Sequence, residues 1–192
     1  MATPTLNLAL GSLAWLLAGP LLPTASHAQE IPPPAYQRAA SQAGIPSTVL
    51  YAVALQETGM RRGNRLVPWP WSLNVAGQPR RFRSHAAACA GLRQALREAP
   101  ATRVDAGLGQ VNLGFHAQRY RHPCELLDPY RNLAIAAAIL RQQRQPGEDW
   151  LAAIGRYHRP AGGAPAARYR QSVAQHLQRL RPAATAVPTQ EH

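Results

Sequence analysis

The stretch IPSTVLYAVALQETG, residues Ile45 to Gly59, decides the fold that we expect for this chain. Its spacing predicts one amphipathic helix, and Pro46 suits the first turn because a proline there sacrifices no helical hydrogen bond. Glu57 lies near the far end and Gly59 is a suitable stop. The apolar stripe is expected to consist of Val49, Leu50, Val53 and Ala54. Since Glu57 follows Val53 by four residues, a single acid lies on or beside that stripe.

This position predicts that the Glu57 carboxyl group has a raised pKa. Apolar neighbours disfavour the charged form, and the negative end of the helix dipole acts in the same direction. A glutamic acid that keeps its proton near neutral pH can serve as a general acid. The alternative is that Glu57 only borders the stripe, with its carboxylate in water or paired with Arg61, Arg62 or Arg65.

The composition indicates one basic domain. The 192 residues suffice for a single core, and 21 basic against 9 acidic residues give a net charge of +12. Such a charge predicts attraction to polyanions, among which nucleic acid, an anionic envelope polymer and a membrane surface are candidates. Because the basic residues, all arginines, are scattered rather than gathered in one dense block, we expect no nucleic-acid partner.

The N-terminus has the pattern of a secretory signal peptide. Leu6 to Leu22 is mostly apolar but is interrupted by Gly11 and by Gly19-Pro20, and Ser26-His27-Ala28 resembles a small-x-small cleavage site. We therefore expect residues 1–28 to direct export to the periplasm. An uncleaved segment that tethers the protein to the membrane is the alternative.

The rest of the chain predicts a mostly α-helical, α+β domain with a small β-hairpin insert. Residues 29–35 form a proline-rich linker, 36–180 the domain and 181–192 a disordered tail. The insert is a strand–turn–strand unit over 71–75 and 80–83, and the glycine-rich stretch 104–115 is expected to be a loop that leads into a short helical turn. Further helices are expected over 36–43, 84–98, 128–145, 149–157 and 166–180.

Two cysteines, Cys89 and Cys124, remain after the predicted signal peptide. In an exported protein an even cysteine count favours a disulfide, although two buried thiols are the alternative. Two cysteines without a neighbouring histidine pair make a poor metal site, and we expect no cofactor.

Three segments, in this order, resemble the SLT-type lytic transglycosylases of the lysozyme-like superfamily. LQETG (55–59) is similar to that family's Glu-Ser segment, with Thr58 in place of serine. GLGQVN (107–112) is similar to its Gly-Leu-Met-Gln-Ile/Val-Asn segment, with Gly109 in place of methionine. AIGRYHRP (153–160) resembles its Ala-x-x-Tyr-Asn-x-Gly segment, with His158 and Pro160 in place of asparagine and glycine. The resemblance covers residues 36–180.

The resemblance implies a lysozyme-like fold and cleavage of peptidoglycan between N-acetylmuramic acid and N-acetylglucosamine. In that family one glutamate, here Glu57, protonates the leaving oxygen and then acts as base on the sugar's own C6 hydroxyl, which yields a 1,6-anhydro ring. PWPWSLNVAGQPRRF (68–82) resembles the insert of members that accompany conjugation and secretion machines. The implied partners are glycan strands and a transenvelope complex, and we expect a monomer.

The resemblance also assigns roles to residues around Glu57. Tyr157 would orient the carboxyl or stabilise developing charge, and Thr58, Gln110 and Asn112 would contact substrate. Gln110 and Asn112 could instead satisfy backbone groups of their loop. Trp71, with Trp69, could stack on a sugar or simply anchor the insert to the core. His158 is expected to be a surface or hydrogen-bonded histidine rather than a catalyst.

Two other functions stay open at this point, and a third, a DNA-binding protein of a conjugative system suggested by charge alone, is disfavoured by the export pattern. A muramidase that uses water would need a second carboxylate facing Glu57, and Asp105 is the one serious candidate. A peptidoglycan-binding assembly protein with a degenerate site would account for the departures at Gly109, His158 and Pro160.

Overall fold

The computed structural model describes residues 30–180, so the predicted signal peptide and tail lie outside the described residues. The described chain forms six α-helices: α1 (Pro34–Ala43), α2 (Ser47–Thr58), α3 (His85–Glu98), α4 (Pro129–Gln143), α5 (Trp150–His158) and α6 (Gly163–Arg179). It also forms six short strands: β1 (Gly59–Arg62), β2 (Arg65–Pro68), β3 (Ser72–Val75), β4 (Gln78–Arg81), β5 (Val104–Ala106) and β6 (Val111–Asn112). The expected mostly helical α+β fold is confirmed.

Helix α2 is the centre of the core, and it is buried more completely than a single stripe would require. Tyr51, Ala52 and Leu55 are as buried as the four residues of the predicted stripe. The prediction of a one-sided helix is therefore wrong, because α1, α4 and α6 all pack against α2 and leave it little exposed surface. Pro46 is the cap residue just before the helix rather than a member of its first turn.

The sheet is larger than the sequence predicted. β1 and β2 form an antiparallel hairpin directly after α2, and a separate antiparallel sheet has the order β4-β3-β5-β6. The predicted hairpin corresponds to β3 and β4, with Ser72 paired to Arg81. The prediction of a loop is wrong for 104–106 and 111–112, because these residues pair as β5 and β6 around a turn at Gly107. A short 3-10 turn, Ala117–Arg119, follows the stretch.

Most helix boundaries follow from capping residues. Ser84, Asp128 and Asp149 each accept a hydrogen bond from a backbone N–H in the first turn of the helix that follows, as predicted. α6 begins three residues before the expected Ala166, at Gly163. α1 begins at Pro34, inside the expected linker, because proline is well suited to the first helical position.

Cys89 and Cys124 are joined in a disulfide, which confirms the predicted pair. The bond links α3 to the 3-10 turn Pro123–Leu127 and closes a loop that contains β5 and β6. Over residues 30–180, no helix has the combined length and apolar character needed to cross a membrane.

Candidate active site

A cavity of about 440 Å³ lies between the helices and the four-stranded sheet. The C-terminal end of α2 provides Glu57, α4 provides Ile139 and Gln143, and the end of α5 provides Tyr157 and His158. The sheet and the segment after it form the opposite wall, with Asn74, Asp105, Gln110, Val111, Asn112, Phe115 and His116. A carboxyl group facing polar side chains across an enclosed space is an arrangement suited to acid–base chemistry on a bound ligand.

The Glu57 carboxyl group has the raised pKa that its position predicted. The pKa is raised from 4.5 to about 7, chiefly by burial; a hydrogen bond from Tyr169 acts against that rise, and the negative charge of Asp105 adds a smaller contribution to it. The alternative ion pair is not formed within residues 30–180, since Glu57 pairs with none of Arg61, Arg62 and Arg65, and the Arg65 guanidinium lies 3.7 Å from Glu30 instead. Glu57 is therefore about half protonated near neutral pH.

Tyr169 is the direct partner of Glu57, and the sequence analysis missed it. Its hydroxyl group donates to Glu57 Oε1 at 2.5 Å, across 112 residues of sequence. The ring of His158 lies parallel to the Tyr169 ring, with centroids 4.3 Å apart. The available signal was helical spacing, because Tyr169 precedes the buried Val173 by four residues on α6.

Tyr157 occupies the same cavity, but it does not hydrogen-bond to Glu57. Its hydroxyl group donates to the carbonyl oxygen of Gly109 at 2.6 Å. Burial raises its pKa well above the ordinary value, and the charge of Glu57 adds to this effect, so the phenol is neutral. Tyr157 therefore does not orient the Glu57 carboxyl by donating a hydrogen bond, because its one hydroxyl proton is used to hold the glycine-rich loop. Its other expected role, stabilising developing charge, stays a prediction.

The glycine-rich loop, residues 107–112, is held from two sides. Gln110 has a positive φ of 45°, and its Nε2 donates to the Gly107 carbonyl at 2.8 Å. On α4, the fully buried Asn132 accepts the Gly109 N–H at 2.8 Å and donates to the Ala106 carbonyl at 2.9 Å. The Gln110 side chain lines the cavity, but its amide nitrogen donates to backbone carbonyls of the loop and of β3, at Gly107 and Ser72, much as the alternative interpretation proposed.

Gly109 occupies a position where no side chain fits. A Cβ atom there would lie 2.6 Å from the Ala136 Cβ and 2.9 Å from the Tyr157 hydroxyl. The resembled pattern has methionine at this position. In this chain a methionine side chain would clash with α4 and Tyr157, so glycine fits the local packing.

Asn112 holds Asp105 and the segment that follows β6. Its Nδ2 donates to Asp105 Oδ1 at 2.8 Å, and its Oδ1 accepts the N–H groups of Gly114 and Phe115, both at 3.0 Å. The Asn112 amide is therefore occupied by protein contacts, although the residue lines the cavity. Burial raises the pKa of Asp105, and the bond from Asn112 acts against that shift.

The structure places two predicted substrate contacts elsewhere. Thr58 is 1% exposed, and its hydroxyl lies 3.1 Å from the Ala54 carbonyl and 3.3 Å from that of Leu108. It therefore ties α2 to the loop and does not line the cavity. Trp71 also lies outside the cavity lining and packs against the core, edge to face with Trp69 at 5.5 Å. These contacts fit the interpretation in which Trp69 and Trp71 anchor the insert to the core.

Within residues 30–180, no group of three or more metal-ligating side chains comes together. No protein-family model matches the sequence, and no curated protein and no solved structure matches it either.

Proposed function

We propose that this protein cleaves the β-1,4 bond between N-acetylmuramic acid and N-acetylglucosamine in peptidoglycan, as a lytic transglycosylase. The observation that carries the proposal is Glu57: a carboxyl group with a pKa of about 7, held by a neutral phenol and open to an enclosed cavity. A group that is half protonated at neutral pH can both give and accept a proton within one cycle.

The proposed reaction uses both protonation states of Glu57. The protonated carboxyl donates its proton to the glycosidic oxygen as the bond between that oxygen and C1 breaks. The resulting carboxylate then takes the proton of the C6 hydroxyl while the oxygen of that hydroxyl bonds to C1. This step closes the 1,6-anhydro ring and returns Glu57 to its protonated form. Tyr169 donates to Oε1 throughout, so it positions the carboxyl and stabilises the charged state between the two steps.

The presence of Asp105 in the cavity supports a second candidate, hydrolysis with water. Asp105 and Glu57 line the same space, and the charge of Asp105 contributes to the raised pKa of Glu57. A second carboxylate facing the acid is what a water-using muramidase requires. Transglycosylation is preferred because the three resembled segments imply it and because Asp105 Oδ1 already accepts a hydrogen bond from Asn112.

The proposed setting is the periplasm, where the protein would open the cell wall locally for a conjugation or secretion apparatus. The export pattern of residues 1–28 and the resemblance of residues 68–82 support this part. The high positive charge suits an anionic wall polymer.

The test is digestion of purified sacculi by the wild type, Glu57→Gln and Asp105→Asn, with the soluble products identified by mass. We expect anhydro-ended muropeptides from the wild type and Asp105→Asn, and activity lowered by at least about 10²-fold in Glu57→Gln. Reducing-end products that depend on Asp105 would establish the hydrolase instead. Binding of sacculi without soluble products from any variant would indicate a binding protein.

Glu57→Gln should remain folded, which makes it a clean control. The native pKa of about 7 exceeds the ordinary 4.5, so the carboxyl costs stability as pH rises from 4.5 to 7. The neutral amide avoids that cost, and we expect it to melt no lower than the wild type at pH 7. A large drop in melting temperature would mean that Glu57 is structural.

A further inference from the structure

Phe115 is exposed to an unusual degree for a large apolar residue beside a cavity. Its exposed fraction is 69%, and among the described residues the other exposed large hydrophobic residues are Ile31 and Tyr130. Of the three, Phe115 lines the cavity that contains Glu57. An apolar ring exposed to water at the rim of a cavity that also holds a carboxyl group favours a ligand with both an apolar face and polar groups.

The backbone around Phe115 is fixed, so the ring is presented from a rigid support. The Phe115 N–H donates to Asn112 Oδ1 at 3.0 Å, and the His116 N–H donates to the Asn112 carbonyl at 3.3 Å. The preceding Gly114 packs so closely on Thr102 that an added Cβ would lie 2.5 Å from it. A ring on a fixed backbone loses little freedom when it packs against a ligand.

Phe115 also stands at the end of a polar row that crosses the sheet. Asn74 on β3 pairs with Asp105 on β5, which pairs with Asn112 on β6, and Asn112 holds Phe115. All four residues line the cavity. The side-chain oxygen of Asn74 is buried without a hydrogen-bond partner within residues 30–180, so the row has unused hydrogen-bonding capacity.

A pyranose matches this combination of an aromatic ring and a polar row. One face of the sugar ring carries C–H groups, and its edge carries hydroxyl and acetamido groups. We propose that Phe115 is a saccharide-binding residue, whose ring packs against a pyranose of the glycan strand while the edge of that sugar faces the polar row. The inference rests on the proposed function for its ligand, and it moves the aromatic contact from Trp71 to Phe115.

The test measures binding of a β-1,4-linked N-acetylglucosamine tetramer by calorimetry in the Glu57→Gln background, where the bond is not cleaved. Phe115→Ala is expected to weaken binding roughly tenfold, and Phe115→Trp to retain it. Tyr130→Ala is the matched control, because Tyr130 is 61% exposed and lies outside the cavity lining, and it should leave affinity unchanged. In the background with Glu57 present, Phe115→Ala should raise KM for solubilised glycan more than it lowers kcat.

Equal affinity for Phe115→Ala and its parent would overturn the inference, as would an absence of measurable binding to the parent. The first result, together with anhydro products from the wild type, would remove Phe115 alone and leave the proposed function in place. Binding that depends on Phe115, with no products from the wild type, would instead remove the proposed reaction and leave the saccharide site.

Discussion

Glu57 and Tyr169 form one unit, because the hydroxyl of Tyr169 stabilises the charged carboxylate that burial disfavours. If Glu57 is the acid, activity falls as pH rises through about 7, since the protonated form is lost. Tyr169→Phe removes the contribution that lowers the pKa of Glu57. We therefore expect this upper limb of the pH–activity profile to move to higher pH, with a lower maximum rate.

Tyr157→Phe is the matched variant, because it also removes a single tyrosine hydroxyl, here from a residue that lines the cavity together with Glu57. Its hydroxyl bonds to the Gly109 carbonyl, so we expect lower turnover with an upper limb near its wild-type position. Full pH profiles of both variants on solubilised glycan provide the measurement. The assignment of Tyr169 as the partner of Glu57 fails if Tyr157→Phe shifts the high-pH side of the profile and Tyr169→Phe leaves it in place.

At the scale of elements, α4 determines the shape of the glycine-rich loop. Asn132 binds the loop backbone from α4, and Ala136 leaves no space for a side chain at Gly109. Gly109→Ala should force the loop away from α4 and break the bond from Tyr157. We expect a loss of about 1–3 kcal/mol in the free energy of unfolding and a larger proportional loss of turnover.

Denaturant unfolding of Gly109→Ala, with Gly77→Ala as a comparison, measures this loss. An added Cβ at Gly77 meets no atom within 4 Å, although its φ of +89° adds backbone strain there. A variant Gly109→Ala with wild-type activity would show that the loop tolerates displacement and that its contact with Tyr157 is dispensable.

The sequence was sufficient for elements whose signals are local. α2 was predicted to within two residues at its start, and the caps at Ser84, Asp128 and Asp149 are carried by single side chains. β5 and β6 were missed because strands of three and two residues are too short for an alternating pattern to emerge.

The site was predictable only in part, for a related reason. The raised pKa of Glu57 follows from neighbours one helical turn away, which the sequence lists directly. Its hydrogen-bond partner depends on how α6 packs against α2, and no local pattern distinguishes Tyr169 from Tyr157. The sequence also left Trp71 open between stacking on a sugar and anchoring the insert, because the choice depends on where the insert packs. In the structure Trp71 is partly buried against the core and outside the cavity lining, whereas Phe115 belongs to that lining.

In the whole molecule, the disulfide closes a loop that contributes to only one of the two walls of the cavity. Glu57 and Tyr157 belong to the helical wall, whereas Asp105, Asn112 and Phe115 belong to the loop that the Cys89–Cys124 disulfide closes. The disulfide restrains one wall directly and the other only through packing. Loss of the bond should therefore affect the sheet wall first.

The disulfide joins residues 35 positions apart, and closing a loop of that size contributes on the order of 3–4 kcal/mol. We expect reduction to lower the melting temperature by roughly 10 °C. Calorimetry with and without a reductant measures the change, and the double variant Cys89→Ala/Cys124→Ala should melt at the lower temperature under both conditions. Because the loop carries Phe115, the variant should also bind the N-acetylglucosamine tetramer more weakly below its melting temperature. A double variant as stable as the oxidised protein would show that packing alone holds the sheet wall against the helices.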